Sequence, residues 1–269
     1  MASKLVLITG ASSGIGAATA KRYGASGARV LLFARDAGRL DEVANAIRRG
    51  GSAATPYKVD LSDAGAIAEA ATRIKREAGT PDIIINNAGA GRWRPLVETS
   101  AEEALAMIEV PYLAAFNLTR AFLPEMLARR SGAIACVTSP ASYLVWPNAA
   151  AYIAARHALL GFTEALRADV KGGGVDVTLV VFGTVETPYW EHNPGSRERV
   201  PAGNPLLAPV LSPEEAAEAI FRGVEARKRR VVKPAILHAI LLLNALAPRV
   251  VARQVRRSIP KPSSPAGEC

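Results

Sequence analysis

Residues 9–16 read Thr9-Gly10-Ala11-Ser12-Ser13-Gly14-Ile15-Gly16, a crowding of glycine and serine that can grip an anion. A short apolar run, Leu5-Val6-Leu7-Ile8, precedes them, and a helix-forming stretch from Ala17 to Tyr23 follows. A strand, a glycine-rich turn and a helix start together make an anion site. The glycines let backbone approach a pyrophosphate closely, and the first helical turn offers free N–H groups at the positive end of its dipole. In this context the turn points to a dinucleotide. Without a ligand the same residues would make a tight strand-to-helix turn and nothing more.

Such a turn needs a frame to hold it, and the rest of the chain supplies one. Short apolar runs at 29–33, 53–59, 82–85, 133–137 and 175–182 read as further strands, and the segment 227–232 ends in a last one. Helical periodicity fills the gaps, through Leu40, Val43, Ala44 and Ile47, then at 67–74, 101–129 and 151–170. Repeated strand–helix units with apolar strands imply a doubly wound α/β fold of Rossmann type, with a parallel sheet covered on both faces. Ligands in such sheets bind beyond the carboxyl ends of the strands. The expected organisation is a single domain over 1–233, with a lid at about 183–212 and an extension at 234–269. At 269 residues and 49% apolar content, one large core is accounted for and a second independent domain would be cramped.

Composition narrows the setting. Cys136 lies in an apolar run and Cys269 ends the chain, so no disulfide framework is expected and a reducing cytoplasm fits best. The apolar run after Lys4 is too short for a signal peptide. The formal charge of +9 is not spread evenly: residues 1–221 carry 22 Lys/Arg against 22 Asp/Glu, whereas residues 222–269 carry 11 against 2. Those late arginines alternate with leucines and valines instead of forming a reading face, which argues against nucleic acid as a partner.

The pattern Thr9-Gly-x-x-x-Gly-x-Gly16, together with Asn86-Asn87-Ala88-Gly89 after the fourth strand, resembles the short-chain dehydrogenase/reductase superfamily. Ser139 at the end of the fifth strand and Tyr152, 13 residues on, match that family's catalytic serine and tyrosine. The resemblance implies an oxidoreductase that interconverts a carbonyl and an alcohol. Tyr152 would donate a proton to the carbonyl oxygen and Ser139 would hold that oxygen. It also implies a nicotinamide cofactor held by Gly10, Ser12, Ser13, Gly14, Ile15, Gly16, Asp60, Asn86, Ala88, Gly89, Val185 and Thr187. After the second strand the family's NAD-selecting acid position is Ala34, and Arg35 follows. An arginine can pair with a 2′-phosphate, so NADP(H) is favoured over NAD(H); alternatively Arg35 is a solvated charge and Asp36 caps the next helix. Asp60 would either touch adenine, as in the family, or cap a helix.

The match has departures. The family places a lysine one helical turn after the tyrosine to lower its pKa and bind ribose; here that residue is Arg156. The family asparagine of the preceding helix falls at Pro111, and the usual Pro-Gly after the sixth strand is Phe182-Gly183. Arginine keeps the charge but cannot release a proton at working pH, and proline brings no amide. A weakened proton relay is therefore expected, with Tyr152 and Arg156 still contacting cofactor. The competing reading is a catalytically weak nucleotide-binding scaffold or sensor.

Tyr143, Trp146, Tyr189 and Trp190 fall in segments that form the family's substrate pocket and lid. They suggest a bulky apolar or ring-containing substrate, or else ordinary core packing. His157 and His192 lack the company of metal ligands, so no metal is expected. By resemblance a homo-dimer or homo-tetramer forms through the long helices at 101–129 and 151–170. The apolar run 235–246 is too short to span a bilayer. With the basic segment after Pro248 it could lie on a membrane surface, cover the substrate mouth or meet a sister subunit.

Overall fold

The structure, a computed structural model, describes residues 3–89, 91–199 and 209–258. Seven strands form one parallel sheet: β1 Leu5–Thr9, β2 Arg29–Ala34, β3 Ala54–Lys58, β4 Ile83–Asn86, β5 Gly132–Thr138, β6 Val175–Phe182 and β7 Arg230–Lys233. Their order across the sheet is β3-β2-β1-β4-β5-β6-β7. The chain first winds outward from β1 to β3, then crosses back to β4 and winds the other way. The crevice where this reversal occurs, above the ends of β1 and β4, is where such sheets take ligands.

The helices between the strands are α1 Gly14–Ala25, α2 Ala37–Arg49, α3 Ala64–Glu77, α4 Ala101–Ile108, α5 Ala114–Ala128 and α6 Ala150–Asp169. After β6 come the short α7 Tyr189–His192, then α8 Pro213–Glu225, and after β7 the pair α9 Ile236–Leu246 and α10 Pro248–Arg257. Every residue of β1 is buried. Val6 and Ile8 face a core shared with α1, α2 and α8, while Leu5 and Leu7 face a second core with α3, α5 and α6. That two-sided burial is why the strands read as continuous apolar runs instead of alternating ones.

Several element starts follow from single side chains. The Asp36 carboxylate accepts from the Arg39 N–H and caps α2, and Ser212 with Glu215 forms a capping box ahead of Pro213 on α8. The cap of α3 is Asp63, which accepts from the N–H groups of Gly65 and Ala66. The capping alternative for Asp60 is therefore corrected. Its carboxylate instead takes the backbone N–H and hydroxyl of Ser62, at 3.0 and 2.7 Å.

The helical run expected at 101–129 is broken in its middle. Glu109–Leu113 forms a π-helical turn around Pro111, between α4 and α5. A proline carries no N–H and its ring clashes with the carbonyl four residues back, and the wider turn absorbs both.

Candidate active site

The glycine turn after β1 is built by close approach. A side chain at Gly16 would place its Cβ 2.1 Å from the Gly10 carbonyl oxygen, so only glycine lets α1 start this near the strand. Gly14 has a φ of +52°, and a Cβ there would meet Thr187 at 3.1 Å, which shows how tightly the segment after β6 closes over the turn. Thr9 ties the neighbouring strand end in place. Its hydroxyl accepts from the N–H groups of Asn87 and Ala88, both at 3.0 Å, and its carbonyl accepts from the Asn87 amide.

A cavity of about 1090 Å³ runs along the strand ends from this turn. One end is lined by Gly10, Ser12, Ser13, Gly14, Ile15, Arg35, Arg39 and Asp60. The Asp60 carboxyl is held below the usual carboxylate range by the Ser62 N–H first, then the Ser62 hydroxyl, with Arg35 adding a smaller attraction. Ala88, Gly89, Ser139, Tyr152, Arg156, Val185 and Thr187 line its middle, and Trp146, Tyr189 and Trp190 lie beyond.

Three expected site residues do not line the cavity. Asn86 is buried behind it, where its amide reaches Thr119 Oγ1 at 3.4 Å and Cys136 Sγ at 3.8 Å, so the wall is made by Asn87. Gly16 serves the strand–helix approach described above. Tyr143 turns away and packs beneath α9, its carbonyl accepting from Asn244 and the Arg230 guanidinium 5.4 Å from its ring centre.

Ser139 and Tyr152 come together as their spacing implied. The Tyr152 hydroxyl donates to Ser139 Oγ at 3.2 Å, because Ser139 directly follows β5 and Tyr152 lies on the first turn of α6. Ser139 Oγ is also steadied by the Ala141 N–H at 3.3 Å. The Tyr152 ring packs 5.3 Å from the Trp93 ring, which in turn lies 5.1 Å from Trp146. Gly91, with a φ of +150°, presses directly on the phenol; a Cβ there would be 2.6 Å from it.

Arg156 sits one helical turn on and is 7% exposed. Its guanidinium lies over the Tyr152 ring and against Gly89, where a Cβ would stand 2.7 Å from Nη2. Among the described residues no carboxylate pairs with it, and its Nε has no hydrogen-bond partner. A buried, unpaired cation is costly, and at a cavity wall it is positioned for a ligand's hydroxyls or negative charge.

The segment after β6 is tied to the residues that follow β4. The Tyr189 hydroxyl donates to the Gly91 carbonyl at 2.6 Å, the Trp93 N–H donates to Ser196 Oγ at 3.1 Å, and Arg199 donates to the Trp93 carbonyl at 2.6 Å. Burial, and secondarily the nearby Tyr152, push the Tyr189 hydroxyl's ionisation well up. Residues 200–208 of the expected lid, the side chain of His192, and Cys269 lie outside the described residues. His157 Nδ1 lies 2.9 Å from the Ile153 carbonyl, a local helix contact.

Of the three places the sequence left open for the C-terminal tail, the cavity mouth is one that it occupies. Leu237, Ile240, Leu243, Val250, Val251 and Val255 of α9 and α10 line the far end of the cavity, together with Gln254. Their apolar periodicity was visible, but not which surface it met. Arg39, one helical turn after Arg35, was likewise findable by spacing. Among the described residues no cluster of three His, Cys, Asp or Glu could hold a metal ion.

Comparison with known proteins is consistent along most of the chain. Residues 4–197 match the model of the short chain dehydrogenase family. A 17-beta-hydroxysteroid dehydrogenase 13 of Rattus norvegicus is 30% identical over 260 residues, covering 96% of this chain and 83% of that protein. A fatty acyl-CoA reductase of Acinetobacter baylyi is 34% identical over 230 residues, covering 85% and 75%. A solved short-chain dehydrogenase from Sphingobium yanoikuyae in complex with NADPH superposes with a TM-score of 0.79 at 26% identity, covering 96% of this chain and 99% of that one.

Proposed function

The chain belongs to the short-chain dehydrogenase family and is an oxidoreductase, and from that premise we propose that it reduces a bulky, apolar carbonyl compound with NADPH, with Tyr152 as the proton donor. The observation that carries this reading is the Tyr152–Ser139 hydrogen bond inside a cavity that begins at the glycine turn.

The residues present fit the cofactor. A crevice with a glycine cradle and two arginines at its outer end suits an adenosine 2′-phosphate and pyrophosphate, and the unpaired Arg156 beside Gly89 suits ribose hydroxyls. NADPH, when bound, supplies the hydride that a carbonyl carbon accepts. The chain's own residues handle the oxygen. Ser139 Oγ donates a hydrogen bond to the carbonyl oxygen and Tyr152 gives it a proton. The negative charge left on the phenol oxygen is met by the Arg156 guanidinium, in a cavity walled on that side by Trp93 and Trp146. The aliphatic roof favours a substrate with an extended apolar body, and the indoles favour a ring near the reacting carbon. A second copy of the chain pairs across α4–α6. Leu105, Leu113 and Phe116 are exposed there, Phe116 beside the Tyr112 and Phe162 rings.

A scaffold that binds nucleotide without turning it over is the competing reading, favoured by Arg156 and Pro111 standing where the family has lysine and asparagine. NADPH oxidation with a panel of alicyclic ketones, aromatic ketones and long-chain aldehydes separates the two. Turnover supports the reductase; tight NADPH binding with no turnover across the panel supports the scaffold.

A further inference from the structure

The roof of the cavity has an outer surface that no described residue covers. On α9 the exposed residues include Leu242, Leu243 and Leu246, and no charged residue occurs from 234 to 248. Leu242 is 63% and Leu246 76% exposed, so one long face of this helix is apolar and open. On α10, Arg249, Arg253, Arg256 and Arg257 are all exposed around an exposed Val250. Between residues 226 and 258 there is no Asp or Glu to balance them. A bare aliphatic stripe edged by uncompensated arginines calls for an occupant that is apolar inside and anionic at its surface.

We propose that α9 and α10 form a docking surface for an anionic lipid bilayer. The leucines enter the acyl boundary and the arginines meet lipid phosphates. A second copy of the chain fits poorly, because it would bring four more arginines against these four with no carboxylate on either helix. No described helix is long and apolar enough to cross a membrane, so contact is at the surface. The same helices hold the cavity mouth: Leu243 and Val250 are exposed on the outside and also line the cavity. Resting on the reductase reading above, the substrate class is an apolar carbonyl compound dissolved in the bilayer, which enters between the two helices.

The test uses the full chain and vesicles of phosphatidylcholine with or without phosphatidylglycerol. Wild type is expected to sediment with the anionic vesicles. Leu242→Glu/Leu246→Glu should bind at least about tenfold more weakly. Arg249→Gln and Arg253→Gln should each lose about fivefold, with binding falling as salt rises. These side chains are exposed and do not line the cavity, so circular dichroism and turnover of a water-soluble ketone should be unchanged. Turnover of a vesicle-dissolved ketone should fall about tenfold in the leucine variant. Absence of wild-type sedimentation, or equal sedimentation of wild type and variants, overturns the proposal. So does a drop in solution mass in the leucine variant without a change in vesicle binding, which assigns the face to a second copy. If vesicles bind but no ketone is turned over, the docking surface stands and the reductase reading fails.

Discussion

The guanidinium carbon of Arg156 lies 4.8 Å from the centre of the Tyr152 ring. A fixed cation thus leans on the face of the phenol that also bonds Ser139, while among the described residues no carboxylate draws it away. Charge near the reacting oxygen is kept, but it is delivered by a group that holds its protons.

Removing the phenol oxygen alone is the sharpest test of its role. Tyr152→Phe should lower turnover by about 10²–10⁴-fold. NADPH binding, followed by nicotinamide fluorescence, should stay within about twofold, because the ring still packs on Trp93. Turnover close to wild type would remove Tyr152 from the chemistry.

Arg156→Met should act in opposite directions on stability and on function. Replacing a buried, unpaired ion by an apolar chain of similar length is expected to stabilise the ligand-free protein by about 1 kcal/mol. The melting temperature then rises by about 2–4 °C. NADPH affinity and turnover both fall. A lower melting temperature would mean that Arg156 is held by partners the geometry does not show.

Pro111 and Arg156 are expected to work as a pair. The double variant Pro111→Asn/Arg156→Lys should turn over faster than wild type and faster than either single variant, since it restores both an amide and a releasable proton. Steady-state rates that rise little in the double variant would show that the relay was never the limit.

At the other end of the cavity, Arg35→Ala and Arg39→Ala should each raise the KM for NADPH by about tenfold, as expected for a lost charge-assisted hydrogen bond. The KM for NADH should move little. Equal effects on both cofactors would argue that these arginines serve only α2.

Tyr189 should remain a neutral donor across the alkaline range, since burial pushes its ionisation up and the hydroxyl stays protonated as pH rises. Tyr189→Phe removes the bond to Gly91. The lid should then be cut faster in limited proteolysis, and KM should rise more than kcat falls. Unchanged cleavage would show that Ser196 and Arg199 hold the lid without it.

The nucleotide half of the site was legible because its requirements are local. A strand, three glycines and a helix start lie within a few residues, and Ser139 and Tyr152 are related by one strand end and one helix start. Asn86 misled because two adjacent amides at a strand end point to opposite sides, and sequence does not say which one turns to the crevice. Tyr143 misled for the same reason in a short irregular turn. The capping roles of Asp60 and Asp63 differ by three residues, which only the path of the loop decides. The π-turn at Pro111 could be foreseen as a disturbance but not in form. The roof was one of three places left open for the tail, because an apolar stripe does not name the surface it packs on.

The two ends of the cavity also come from opposite ends of the polypeptide: the glycine turn and its arginines fall within the first 60 residues, and α9 and α10 follow residue 235. On the proposed function, cofactor choice and substrate choice are therefore separately editable. Grafting residues 236–257 from a relative with different tastes would re-specify the molecule while its nicotinamide preference stays put, making this tail a natural cassette for redesign.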